Sequence, residues 1–151
     1  MRKGDFGYKS SHLGFDLAGK SLGIMGYGRI GRMVAKKASA LDMDILIYDP
    51  FVKSSEYGQI VDRDTLLEKS DVITLHMAVT PENTEGIDQA AFAKMKDSAV
   101  LINLGRGALI NQDDLITALK THQIRGRSFG CFQWRTTTFN EWLLSVRECF
   151  Y

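Results

Sequence analysis

Three glycines at fixed spacing, Gly26-x-Gly28-x-x-Gly31, constrain this chain more than any other feature. They follow a short apolar run, Ser21–Met25, that reads as a buried parallel strand. They open residues 29–41, which place Ile30, Met33, Val34, Ala38 and Leu41 at helical spacing against the core. Arg32, Lys36 and Lys37 of the same stretch face elsewhere. In that context Gly26 permits a tight turn, and Gly28 lets the backbone approach a pyrophosphate. Gly31 lets the helix pack close to the strand. The backbone N–H groups at the helix start, including those of Arg29 and Ile30, then face the phosphates with the helix dipole behind them. The glycines alone would equally serve a plain strand-to-helix turn.

Asp49 tips the balance. It ends the next strand, residues 45–48, and stops it together with Pro50. A carboxylate there accepts hydrogen bonds from the adenosine ribose hydroxyls and repels a 2′-phosphate. NAD is therefore preferred over NADP, with Lys53 nearby as the one counter-indication.

The alternation continues downstream. Residues 59–61 form a brief strand and 64–69 a helix; 72–76 and 99–104 are strands separated by a helix over 89–95. A last helix over 113–121 starts beside Asn111, Asp113 and Asp114, which suit an N-cap and the positive end of the dipole. Strands and helices in turn, joined by short connections, predict an α/β fold. The sheet is open, parallel and doubly wound, of Rossmann type, in a single cofactor-binding domain.

A second informative loop is residues 103–111, where Arg106 stands between Gly105 and Gly107. Ligands of a doubly wound sheet bind beyond the carboxyl ends of its strands. An arginine there pairs bidentately with a carboxylate or polarises a carbonyl, and the glycines make room for the ligand. A solvent-facing loop arginine is the competing reading.

Composition narrows the classes. A formal net charge of +1 gives no reason to expect nucleic acid or an anionic membrane. No apolar run reaches the ~20 residues of a membrane span, and the N-terminus lacks a signal-peptide pattern. The two cysteines, Cys131 and Cys149, have no metal-like spacing, so no metal is expected and the setting is cytoplasmic.

Taken in order, several segments resemble the D-isomer-specific 2-hydroxyacid dehydrogenases, the group that includes D-3-phosphoglycerate, D-lactate, glycerate and formate dehydrogenases. The segments are residues 16–24, Gly26-Tyr27-Gly28-Arg29-Ile30-Gly31, Tyr48-Asp49-Pro50-Phe51, residues 70–76, Thr80-Pro81-Glu82-Asn83-Thr84, Met95-Lys96 and the 103–111 loop. The resemblance covers residues 16–126 and implies hydride transfer between NAD and a small 2-hydroxy or 2-oxo acid. By the same resemblance Arg29 and Ile30 meet the pyrophosphate and Asp49 the ribose. His76, Ala78 and Thr84 line the adenine and ribose side, with Ala78 where the family usually carries proline. Leu104 and Gly105 border the nicotinamide, and Arg106 matches the catalytic arginine that orients the 2-oxo acid. The resemblance also implies a homodimer formed through the cofactor domain.

Two family features have no counterpart here. The general-base histidine and its glutamate partner are missing: Arg135 stands about where the glutamate belongs, and His122 is the only histidine after Arg106. The substrate-binding domain is absent as well. Residues 1–19 read as an arm entering the domain and 20–127 as the NAD-binding domain. Residues 128–151 form a divergent tail that holds both tryptophans and seven of the fifteen aromatics. Phe129-Gly130-Cys131-Phe132-Gln133 can be encoded so that losing one nucleotide gives Leu-Asp-Val-Phe, the strand such relatives carry, which points to a frameshift or truncation. The competing reading is a genuine tail, with Trp142, Val146 and Phe150 on one face of a helix. Two functions follow: the NAD-binding part of an oxidoreductase with low activity alone, or a catalytically dead NAD-binding module that associates with full-length relatives.

Overall fold

The computed structural model describes residues 16–124 and the backbone of a final strand, Gly126–Phe129; the tail expected beyond it lies outside the described residues. Six parallel strands form one sheet: β1 Ser21–Met25, β2 Asp44–Tyr48, β3 Gln59–Ile60, β4 Val72–Leu75, β5 Val100–Asn103 and β6 Gly126–Phe129. Their order across the sheet is β3-β2-β1-β4-β5-β6, so the direction of winding reverses between β1 and β4. Crevices beyond the carboxyl ends at such a reversal are where doubly wound sheets bind ligands. Register places Met25 beside both Tyr48 and Leu75, and Leu75 beside Asn103, so four strands end at one level.

Helices cover both faces. On one, α1 (Arg29–Ser39) packs over Leu22, Ile24, Ile45 and Ile47 through Ala35 and Ala38. On the other, α2 (Arg63–Lys69), α3 (Gln89–Lys94) and α4 (Gln112–Lys120) supply Leu66, Leu67, Phe92, Leu115 and Leu119 to a second cluster around Ile73, Leu75 and Leu101. The strands are apolar almost throughout because both faces are buried, as in parallel sheets generally.

Local signals fix the helix starts. The carboxylates of Asp62 and Asp88 and the side-chain carbonyl of Asn111 each accept a bond from a first-turn N–H, at 2.9, 2.9 and 3.1 Å. These bonds satisfy donors that a helix leaves open. The expected cap at Asn111 is present; those at Asp62 and Asp88 went unread in the sequence. A single 3-10 turn, Gly107–Leu109, which periodicity did not predict, precedes α4.

One expectation needs correcting. The helical stretch expected over 29–41 ends at Ser39, and its Ile30 and Met33, with Leu41 in the turn beyond, are 57%, 56% and 53% exposed. The buried positions of the helix are Gly31, Ala35 and Ala38. Small residues bring the helix axis close to the sheet, which leaves no room for a row of long side chains beneath it. Of the apolar stripe, Ala38 and Val34 do reach the core, while its longer side chains lie outside the packed face.

Candidate functional site

The β1–α1 turn is built by sterics. Gly26 has φ +97°, and a Cβ on it would lie 2.8 Å from the Met77 nitrogen. A Cβ on Gly31 would lie 2.1 Å from the Gly26 carbonyl oxygen, so the first turn of α1 sits directly against the loop. Gly28 differs: its φ is −74° and a Cβ there would meet nothing within 4 Å among the described residues. Nothing in the fold requires glycine at that position. The open space beside it is what a ligand approaching the backbone needs.

The helix start behind Gly28 is suited to an anion. Alone among the four described helices, α1 has no side-chain cap, and no acidic residue stands in its first turn. Its first N–H groups, those of Arg29 and Ile30 included, lack intrahelical partners by geometry and carry the positive end of the dipole. The residues present therefore fit a dinucleotide pyrophosphate.

Asp49 closes one side of this turn. Its Oδ2 accepts the Tyr27 N–H at 2.7 Å and its Oδ1 accepts the Phe51 N–H at 2.9 Å. Both oxygens keep a second lone pair, so an oriented carboxylate remains able to accept ribose hydroxyls.

The other side comes from the ends of β4 and β5. Ile30, His76, Met77, Ala78, Leu104, Gly105 and Arg106 line one open cleft of about 790 Å³. The exposed Ile30 of α1 is accounted for here. A second hollow of about 370 Å³, between Tyr48, Met77 and Asn83, adjoins the end of β2. Thr84 is placed differently from the other predicted residues: it lines neither cleft, and its hydroxyl donates to the Thr80 carbonyl at 2.8 Å, closing its own turn.

Arg106 projects from an exposed loop that is fixed from below. The fully buried Asn103 accepts the Gly105 N–H at 3.0 Å and donates to the Arg106 carbonyl at 2.9 Å. One amide thus braces the backbone on both sides of Gly105, a role not read in the sequence. The 3-10 turn adds a second support, because Glu85 and Ile87 donate backbone N–H bonds to Ala108 and Leu109. The loops after β4 and β5 are thereby tied into one wall.

His76 is held against Thr74, with Nε2 and the threonine hydroxyl 3.0 Å apart, while its buried Nδ1 has no partner among the described residues. Burial pushes its pKa below the usual histidine value, so the ring is neutral at pH 7. The unfolded chain takes up this proton at higher pH than the folded one. Stability from this group is therefore complete above about pH 6.5 and falls as pH drops toward the depressed folded value. Urea midpoints between about pH 7.5 and about pH 5 should decline, and His76→Gln should flatten part of that decline. An identical slope in the variant would contradict the assignment.

His122 is elsewhere. It follows α4 with φ +55°, in the turn that leads into β6, and so stands at the opposite edge of the sheet from Arg106. Among the described residues no group of His, Cys, Asp and Glu could hold a metal ion, and no helix is long and apolar enough to cross a membrane.

Comparison with known proteins decides what this edge belongs to. The model of the D-isomer specific 2-hydroxyacid dehydrogenase NAD binding domain matches residues 1–150. The chain belongs to that family.

Among relatives, glycerate dehydrogenase of Methylorubrum extorquens is 44% identical over 115 residues, covering 76% of this chain and 35% of that protein. The structure of D-lactate dehydrogenase with NAD+ from Lactobacillus jensenii superposes with TM-score 0.80 at 31% identity, covering 90% of this chain and 44% of the other. An acyclic imino acid reductase in complex with NADPH and D-Arg gives TM-score 0.80 and 31% identity, over 84% of this chain and 41% of that one. The chain spans between about a third and a half of the length of these proteins. It carries the family's NAD-binding domain, with the doubly wound α/β fold expected from the sequence.

Proposed function

We propose that this chain is the cofactor-binding part of an oxidoreductase that acts on the CH–OH group of a small D-2-hydroxy acid. One observation carries the reading: the uncapped helix start at Gly28, the oriented Asp49 carboxylate and Arg106 all stand along one edge of the sheet. NAD, when bound, accepts or supplies the hydride. Arg29 and Ile30 hold the pyrophosphate through their N–H groups, and Asp49 holds the ribose. Ala78 and Leu104 shelter the cofactor from the cleft side. Arg106 anchors the carboxylate of the acid and polarises its 2-oxygen.

Proton transfer needs a group that titrates near working pH. The histidine–glutamate pair that the family resemblance calls for has no counterpart among residues 16–124, and His122 stands at the far edge of the sheet. Little or no turnover by this polypeptide alone is the expected result with glyoxylate, hydroxypyruvate or pyruvate and NADH. Glyoxylate should still perturb the fluorescence of bound NADH, and Arg106→Ala should weaken that response roughly 30-fold. Turnover that disappears in Arg106→Ala would overturn the low-activity part of the proposal. A glyoxylate response unchanged in the variant would remove Arg106 from the site. NADH binding with no glyoxylate response at all would favour the alternative, a catalytically dead NAD-binding module.

We further infer association of two copies through this domain. Exposed Met33 on α1 and Leu41 in the turn after it are apolar surface that such a contact would cover. Light scattering after size exclusion should return twice the mass of the chain; the mass of a single chain would refute the association.

A further inference from the structure

Tyr27, the residue between the first two glycines, is the least expected member of the site. It is only 2% exposed, although it sits in a loop at the rim of the sheet. Four contacts hold it. Its N–H binds Asp49 Oδ2, and its carbonyl accepts Arg32 Nε at 3.2 Å. The Arg32 guanidinium lies 5.1 Å from its ring centroid, and its hydroxyl oxygen accepts the Ser55 hydroxyl at 2.6 Å. Ser55 Oγ also accepts the Tyr57 N–H at 3.2 Å, which fixes the serine within its own loop.

Tyr27 therefore grips the β2–β3 connection at two places, at Asp49 through its backbone and at Ser55 through its hydroxyl. We propose that Tyr27 is a positioning residue for the cofactor: its bond to Ser55 holds the Asp49 carboxylate in the orientation that selects NAD over NADP. This rests on the reading of the edge as an NAD site. A 2′-phosphate is tolerated only if Asp49 turns aside, which requires its bonds to the Tyr27 and Phe51 N–H groups to break. With the connection pinned at Ser55, the loop cannot shift to make that turn easy. Groups that lock the partners of a binding residue set its precision in this way.

The test uses the 151-residue chain, with NADH and NADPH affinities measured by nucleotide fluorescence. Tyr27→Phe removes only the hydroxyl, and Ser55→Ala removes its partner. Each should weaken NADH roughly 3- to 10-fold and lower the NADH-over-NADPH ratio by about the same factor. The double variant should be no worse than either single one, because both cut one bond. Ser55→Thr keeps a hydroxyl and should retain the native ratio. Equal weakening of both dinucleotides would show a merely structural role and overturn the proposal, as would an unchanged ratio or additive single effects. If the native chain binds neither dinucleotide, the reading of the site falls and this inference with it. If native binding is intact and the ratio does not move, only the inference falls.

Discussion

Replacing Gly28 with alanine should leave the domain folded and remove most of its affinity for NADH. The backbone at this position has φ −74°, which any residue adopts, and the new Cβ meets nothing within 4 Å among the described residues. Loss of glycine freedom in the unfolded chain contributes about 0.4–1 kcal/mol of stability. Alanine is a poorer N-cap than glycine by up to about 1 kcal/mol, so the two effects nearly cancel. Binding is another matter. A methyl group on the approach to the helix start keeps phosphate oxygens from the first N–H groups, whose charged bonds each contribute about 1.5–3 kcal/mol. An NADH affinity loss of at least roughly 30-fold is expected, with the thermal midpoint almost unmoved. Gly31→Ala is the contrasting case. Its Cβ would lie 2.1 Å from a backbone oxygen, so α1 must move off β1. Destabilisation of about 3 kcal/mol is expected there, with binding lost together with structure. If both variants lost stability and binding in parallel, Gly28 would be a folding glycine and the cradle reading would fail.

Asp49→Asn should reverse the selectivity of the site without unfolding it. The amide keeps one acceptor for the Tyr27 or Phe51 N–H, so the loop is largely retained. It loses the charge-assisted acceptance of the ribose hydroxyls, which should weaken NADH about 10-fold. It also removes the charge that repels a 2′-phosphate, so NADPH should gain by a similar factor and the ratio change roughly 100-fold. Competition between the two dinucleotides measures this directly. The structural relative that holds NADPH makes the question a real one within this fold. A ratio unchanged in Asp49→Asn would mean that selectivity is set elsewhere, with Lys53 the first residue to examine.

Much of the fold and part of the site were legible because their signals are local. Gly26, Gly31 and Asp49 work through backbone geometry within one βαβ unit, and the Asn111 cap acts on the amide of Asp114 three residues on. The strands were readable because burial on both faces makes them continuous apolar runs. What escaped depends on partners distant in sequence. Helical spacing put Ile30, Met33, Val34, Ala38 and Leu41 on one stripe, and Ala38 does pack, but spacing did not show that Gly31 and Ala35 complete the packed face while Ile30, Met33 and Leu41 stay exposed. Asn103 reads as a polar residue ending a strand; its bracing of Gly105 and Arg106 appears only once the loop has closed over it. Tyr27 likewise stands at an unconstrained position of the glycine motif, and its bond to Ser55 spans 28 residues. For Thr84, placed at the cofactor by similarity to a family motif, the fold adds a hydroxyl bond that closes its own turn.

The central claim is that the edge formed by Gly28, Asp49 and the ends of β4 and β5 is a working NAD cradle. Titrating the folded chain with NADH, and displacing it with ADP-ribose, tests this most directly. Saturable binding in the micromolar to submillimolar range is predicted, displaced by ADP-ribose and abolished by Gly28→Ala. A folded chain that shows no saturable binding up to about 1 mM NADH would contradict the account.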